Sequence, residues 1–537
     1  GSLSLAADSP GSMFSVPFLS YTWRIMEDFL AITVILTMIR LFYCLYHLNL
    51  SELKDMAMDT VFHWTMDHVP GVETKLDQIT DQIVDQVGGL DKVLGKDPNR
   101  HVTARLPSEG LGPKAVLEDL KPCSLRENDK WTKGKLSGTV YQGDPEHTNL
   151  MNEAFKLYTW ANPLHAGYWP KLNQCEAEVI AITSKILNAP GPFGSLTSGG
   201  TESIFCAIKA SLGYYGKRRG IQHPEIICGS SAHAAVDKAC EVLGIKQIRI
   251  DCSKGDFRLC PSKVKSQITS NTIMIYASAP TYPQGAIDPI DELSDIALKY
   301  DIGLHVDACL GGFVLAFWDD VPHFDFACRG VSSMSIDTHK FGYAAKGTSV
   351  VLYRHKKLRH EQYFCYSKWS GGIYATPTLA GSRPGALVIC AWAALMSIGE
   401  HGYRERTKTI IDASKRIAEG TKDIPGITLM TKDPSMVVCF SSDDMDIYSI
   451  GNRMKKKGWT LNELQNPACI HLCVTLNVAP KAEVFIKELK YAVEEEIQES
   501  KGKTKKGNAG IYGMAGEIPK GPVNQVMKAL LDAMLSP

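Results

Sequence analysis

The chain has 537 residues, 44% hydrophobic and 22% charged, with 58 basic and 58 acidic side chains. It is too long for one small core and ordinary in composition for a globular protein, so two or three packed units are expected. Zero formal net charge gives no bulk attraction to nucleic acid, and fifteen scattered cysteines without a CxxC pair exclude a disulfide framework and zinc-finger spacing.

Residues 1–28 are expected to form a tail. Phe29 to Leu48 is an apolar window of about 20 residues, the length a bilayer core requires, and predicts a transmembrane helix. Its one internal charge, Arg40, can snorkel toward the interface. Arg24 on one flank and Lys54 among acids on the other leave orientation undecided by charge. Within the 49–104 region, Leu76, Ile79, Ile83 and Val87 recur at three and four residues, which predicts an amphipathic helix.

The catalytic body is expected to open with a segment over 105–195. From about residue 175, helical stretches alternate with short apolar runs at Glu225–Cys228, Gln247–Ile250, Thr272–Ala277, Gly303–Val306 and Ser349–Tyr353. That alternation predicts an α/β fold with a mainly parallel sheet covered by helices, a large domain over 196–400. A smaller α+β domain follows over 401–537. The basic run Lys501–Lys506 reads as a solvated loop.

Four features in chain order carry chemistry. Gly199-Gly200-Thr201 opens a helical pattern, and bare N–H groups at a helix start are a natural phosphate seat. Thr201 adds a hydroxyl that could instead cap the helix. His233, within Ser231-Ala232-His233-Ala234-Ala235 after a strand, could lie over a flat ring or simply start a helix. Asp307 ends the run from Gly303, and Lys340 follows the next apolar run, which begins at Gly330. A strand-end Asp and a Lys in the following loop is the arrangement that pyridoxal phosphate enzymes use, with the amine making the Schiff base and the carboxylate pairing with the pyridine nitrogen. A free lysine titrates at about 10.4, so a desolvated pocket and neighbouring Lys346 are expected to push Lys340 toward its neutral form.

These segments resemble the sphingosine-1-phosphate lyases from about residue 105 onward. The resemblance is carried by Thr197–Ser203, Ser231–Ala235, His305–Phe313, Ser335–Gly342 and Gly371–Tyr374, together with Ser137–Tyr141, Asn162–His165, Ala380–Gly385 and Ile511–Ala515. It implies a fold-type-I (aspartate aminotransferase-like) homodimer using pyridoxal 5'-phosphate and no metal. It also implies a single-pass anchor in the endoplasmic reticulum membrane with a cytosolic catalytic body. The implied substrate is a phosphorylated sphingoid base, cleaved between C2 and C3 to a long-chain aldehyde and phosphoethanolamine. On this resemblance Lys340 is the Schiff-base lysine, Asp307 the pyridine partner and His233 the ring-stacking residue. Gly200, Thr201 and His339 lie near the cofactor phosphate, and Gly372 reaches the cofactor of the neighbouring subunit. Tyr141, Asn162, His165, Lys346 and Arg383 line the substrate end, with Lys346 and Tyr141 the first choices for the base. An amino-acid decarboxylase on the same fold, and a scaffold without activity, are the competing readings.

Overall fold

The computed structural model describes residues 104–252, 255–500 and 520–535. The expected transmembrane helix over 29–48, the amphipathic stretch Val72–Leu94 and the run Lys501–Lys506 lie outside the described residues. The chain divides into two compact units, Glu109–Gly513 and a second that takes Gly1–Ser108 with Met514–Pro537. In the second unit the described structure includes the helix Lys520–Leu535.

The larger unit is built on seven strands: β1 (Gly194–Thr197), β2 (Glu225–Gly229), β3 (Lys246–Ile250), β4 (Thr272–Ser278), β5 (Gly303–Asp307), β6 (Ser333–Ile336) and β7 (Ser349–Tyr353). Their order is β1-β7-β6-β5-β4-β2-β3. Neighbours from β3 through β6 run parallel. β7 is antiparallel to both β6 and β1, so the sheet is mixed and mostly parallel. The reversal has a local cause. A parallel return needs a crossover, usually a helix, whereas residues 337–348 form turns with no helix. β1, β2 and β4 to β7 are buried along their whole length, as strands covered on both faces must be.

The helix Gly385–Thr421 is, among the described residues, long and apolar enough to cross a membrane by length and composition alone. Gly399 breaks it with φ 64° and ψ 172°, and it buries Val388, Cys390, Ala391 and Ile410 in the interior. It packs against the helices Pro145–Leu157 and Pro170–Ile186, as a core helix does.

Beyond a short exposed hairpin, β8 (Phe364–Trp369) with β9 (Gly372–Thr376), lies a second antiparallel sheet. It comprises β10 (Thr428–Leu429), β11 (Val437–Ser441), β12 (Asn462–Leu464) and β13 (Cys469–Cys473), in the order β10-β11-β13-β12. The segment leading to Tyr141 docks here. Leu136 bridges Thr460, Cys473 N donates to Ser137 Oγ at 2.8 Å, and Lys135 pairs with Glu488 at 2.9 Å. All described cysteines are free thiols, with Cys206, Cys309, Cys390 and Cys439 buried.

Gly330 admits the chain to β6. A Cβ there would stand 2.2 Å from the Ser294 carbonyl oxygen, and the Gly330 N–H donates to Ser294 Oγ at 2.7 Å. Gly330→Ala should destabilise by roughly 1–3 kcal/mol, the usual cost of overpacking, and lower Tm by several degrees in calorimetry. An unchanged Tm would contradict this close approach.

Candidate active site

β5, β6 and the helix Gly200–Ser211 converge at the carboxyl edge of the sheet, where open α/β folds bind ligands. A cavity of about 360 Å³ opens there, and its walls include Gly200, Thr201, His233, Asp307, His339 and Lys340. Six of the residues singled out from sequence therefore share one site. Tyr141 and Lys346 stand behind it: Lys346 Nζ is 4.7 Å from the Tyr141 ring centroid, and that ring meets Phe341 edge-on at 4.7 Å.

At the helix start, Gly199 is the N-cap and no side chain caps it, so Thr201 does not serve as a cap. Among the described residues, the Gly200 and Thr201 N–H groups have no hydrogen-bond partner. A Cβ on Gly200 would meet Cys309 Sγ at 2.7 Å and Asp337 Oδ1 at 3.0 Å, so the turn approaches its floor more closely than any other residue allows. His233 starts a helix and also lines the cavity. Its Nδ1 accepts the Ala235 N–H at 3.1 Å, starting the helix Ala235–Leu243, while the ring lines the cavity. An accepting Nδ1 leaves the proton of a neutral ring on Nε2.

Asp307 is buried and accepts three hydrogen bonds. Oδ1 takes the Cys309 N–H at 3.0 Å and the Ser335 hydroxyl at 3.2 Å. Oδ2 takes the Tyr276 hydroxyl at 2.5 Å. Burial opposes the charge, but the His233 ring and these donors outweigh it and hold the carboxyl below its ordinary range. Behind Ser335, the His305 ring sits between Ser335 Oγ at 3.1 Å and Ser333 Oγ at 2.9 Å. Burial brings His305 down to about 4, so it is neutral at physiological pH.

The expectation for Lys340 is corrected. Its Nζ lies 2.9 Å from Asp337 Oδ2. Burial does favour the neutral amine, but the Asp337 carboxylate overrides it and the ammonium is held well above the usual range. Lys346 takes the opposite course. Burial, then the charge of Lys340, lower it to about 8. The neighbouring His339 is lowered chiefly by burial, and its Nδ1 lies 2.5 Å from the Thr348 carbonyl oxygen. Burial raises Tyr141 far above a free phenol.

Besides Tyr141 and Lys346, four expected site residues are not among those lining the cavity. Asn162 Oδ1 accepts the Leu164 and Arg383 N–H groups at 3.1 and 3.2 Å. The Arg383 guanidinium is engaged by both oxygens of Glu176. His165 is exposed, and Gly372 lies on the exposed β8–β9 hairpin with φ 111°. In the other direction, sequence reading passed over Asp337, Tyr276, Ser335 and His305. A signal for the last three is the alternation of polar residues along β4, β5 and β6, where Tyr276 lies opposite His305, His305 opposite Ser333 and Asp307 opposite Ser335.

Residues 161–443 match the family model described as the pyridoxal-dependent decarboxylase conserved domain. A sphingosine-1-phosphate lyase of Dictyostelium discoideum is 44% identical over 445 residues, covering 82% of this chain and 83% of its own. One from Arabidopsis thaliana is 42% identical, covering 87% and 86%. Among solved structures, the sphingosine-1-phosphate lyase of Burkholderia pseudomallei matches with a TM-score of 0.72 at 37% identity, over 75% of this chain and 95% of its own.

Removing the charge opposite Lys340 should free its amine. In cofactor-free protein, Asp337→Asn should lower the Lys340 pKa, so an amine-directed acylating reagent at fixed pH labels this lysine faster, as peptide mass mapping would read. Unchanged labelling would mean that Asp337 does not hold the ammonium.

Proposed function

The chain belongs to the sphingosine-1-phosphate lyase family, a pyridoxal phosphate-dependent lyase, and from that premise we propose which of its residues do the work. The reaction cleaves the C2–C3 bond of a phosphorylated sphingoid base, giving a long-chain aldehyde and phosphoethanolamine. When bound, pyridoxal phosphate supplies the electron sink that lets that bond break. One observation carries the assignment of residues: Lys340, the buried ionised Asp307 and the uncapped start of the helix Gly200–Ser211 face one cavity. Its volume, about 360 Å³, is in the range of small-molecule sites.

Lys340 would hold the cofactor aldehyde through Nζ, and Asp307 would keep the pyridine nitrogen protonated. The free Gly200 and Thr201 N–H groups would hold the phosphate, with His339 beside them, and His233 would cover the ring. Lys346 is suited to take the C3 hydroxyl proton, because a base must spend time unprotonated near neutrality. Tyr141 is poorly suited to that step, since its burial keeps the phenol protonated; its hydroxyl serves to orient the substrate.

Asn162, His165, Arg383 and Gly372 find a place in this reading through a second copy of the chain. Trp160 is 90% exposed, Tyr168 83% and Ile373 87%, and these side chains flank the residues in question. Large exposed apolar groups at these positions along the chain fit a homodimer contact better than solvent. The protein would be held at the endoplasmic reticulum membrane by residues 29–48, with this body on the cytosolic side. That reading rests on the apolar window and on a lipid substrate.

A product assay tests the function. Incubation with a phosphorylated sphingoid base should release phosphoethanolamine and long-chain aldehyde, and Lys340→Ala should abolish both. Release of carbon dioxide from an amino acid instead would favour the decarboxylase alternative, for which the matching fold is the support.

The pH profile tests the base. An amine titrating at about 8 is active only after losing its proton, so kcat/KM should rise with pH and level above about 8. Lys346→Met should lose that limb and roughly 100-fold or more in rate. A wild-type profile in the variant would remove Lys346 from the role.

A further inference from the structure

Asp307 sits at the centre of a network whose hydrogen-bond directions can be deduced. An ionised carboxylate only accepts, so the Ser335 hydroxyl, 3.2 Å from Oδ1, must donate to it. Ser335 Oγ then receives the Nε2–H of His305 at 3.1 Å. The neutral ring has one proton, so its Nδ1 accepts from the Ser333 hydroxyl at 2.9 Å. The chain Ser333 to His305 to Ser335 to Asp307 therefore runs one way, toward the charge. All of its members ahead of Asp307 are fully buried.

The two oxygens of Asp307 are not equivalent. Oδ1 accepts from Ser335 and from the Cys309 N–H, which fills the two directions an sp² oxygen offers. Oδ2 accepts from Tyr276, at 2.5 Å, and has capacity for one more donor. Tyr276 is fully buried on β4, its ring 5.5 Å from that of His305. A phenylalanine would fill the same space, so packing does not require the hydroxyl.

We propose that Tyr276 is a positioning residue for the cofactor, acting through Asp307: its hydroxyl keeps Oδ2 ionised and leaves that oxygen a single direction in which to receive the ring N–H. The inference rests on the reading of Asp307 as the pyridine partner. Ser335, backed by His305, does the corresponding work on Oδ1, so the carboxylate cannot rotate without breaking a donor contact, and donors on both oxygens favour its charged form. A buried carboxylate stripped of a donor moves toward its neutral form, and a neutral acid cannot hold a protonated pyridine.

The test measures cofactor affinity on the full chain, stripped of pyridoxal phosphate and titrated with it. Tyr276→Phe should weaken binding about tenfold at neutral pH, the usual consequence of losing one hydrogen bond to a charge. The loss should deepen as pH falls into the acid range, because losing a donor raises the Asp307 carboxyl from its lowered position and lets it protonate earlier on acidification than in the wild type. Asp307→Asn should weaken binding by itself, and adding Tyr276→Phe to it should cost nothing further; a purely structural tyrosine would give additive losses. Ser335→Ala should shift affinity and pH dependence in the same direction, and it carries the test if Tyr276→Phe does not fold. Unchanged affinity in Tyr276→Phe, or in Ser335→Ala where that variant stands in, or additive losses, overturns the inference. Unchanged affinity in Asp307→Asn overturns instead the pairing of Asp307 with the ring.

Discussion

Two carboxylates at the ends of adjacent buried strands set the terms for this site. Asp307 closes β5 and Asp337 follows β6, both largely out of water. An ion in such a place is costly unless donors or an opposite charge surround it. The two solve this differently. Asp307 is satisfied by neutral donors from β4, from β6 and from its own following turn, so it stays an intact anion. Asp337 is matched by Lys340, and its Oδ1 has no hydrogen-bond partner. One carboxylate is fixed by polar strands, the other by the charge of Lys340.

This difference orders the charges around it. Lys340 takes the carboxylate and becomes the more strongly protonated lysine; Lys346, six residues on, gives up its proton more easily because of its burial and then because Lys340 is charged. The loop that carries both is held by its surroundings rather than by its own sequence. His147 Nε2 meets the Tyr343 carbonyl oxygen at 2.7 Å and the Tyr403 hydroxyl donates to the Gly342 carbonyl at 2.8 Å. Tyr343 itself has φ 60°, a conformation a bulky residue adopts only when its neighbours impose it.

Much of this was legible in the chain and some was not. The five strands read from sequence lie within a residue of their observed ends; four of them, β2, β4, β5 and β7, are buried along their length and show as apolar runs, whereas β3 is only partly buried. Asp307, Lys340, Gly200 and His233 stood out as chemical residues at strand ends or helix starts. The antiparallel β7 did not, since strand direction depends on what a connecting loop does in three dimensions. The Asp337–Lys340 pair was hidden for a related reason: a spacing of three residues brings side chains together only when the backbone turns. The donors to Asp307 required the order β4-β5-β6, although Ser333 and Ser335 alternating with buried apolar neighbours was a usable sign. Asn162, His165, Arg383 and Gly372 were recognised by motif, and a motif does not say which subunit's cavity a residue serves.

The docking of residues 135–141 on the second sheet has a consequence for biosynthesis. Ser137 is joined to a strand residue 336 positions later in the chain, and Tyr141 is brought beside the reactive lysines by that closure. A ribosome releases the chain from the amino end, so the first strands of the large sheet can pair while the partner of Ser137 has not yet been made. Long closures of this kind form late. The nascent protein therefore passes through a stage in which the first strands of the sheet can exist and the placement of Tyr141 beside Lys346 cannot. The fold is closed only when one of the earliest described segments meets one of the last.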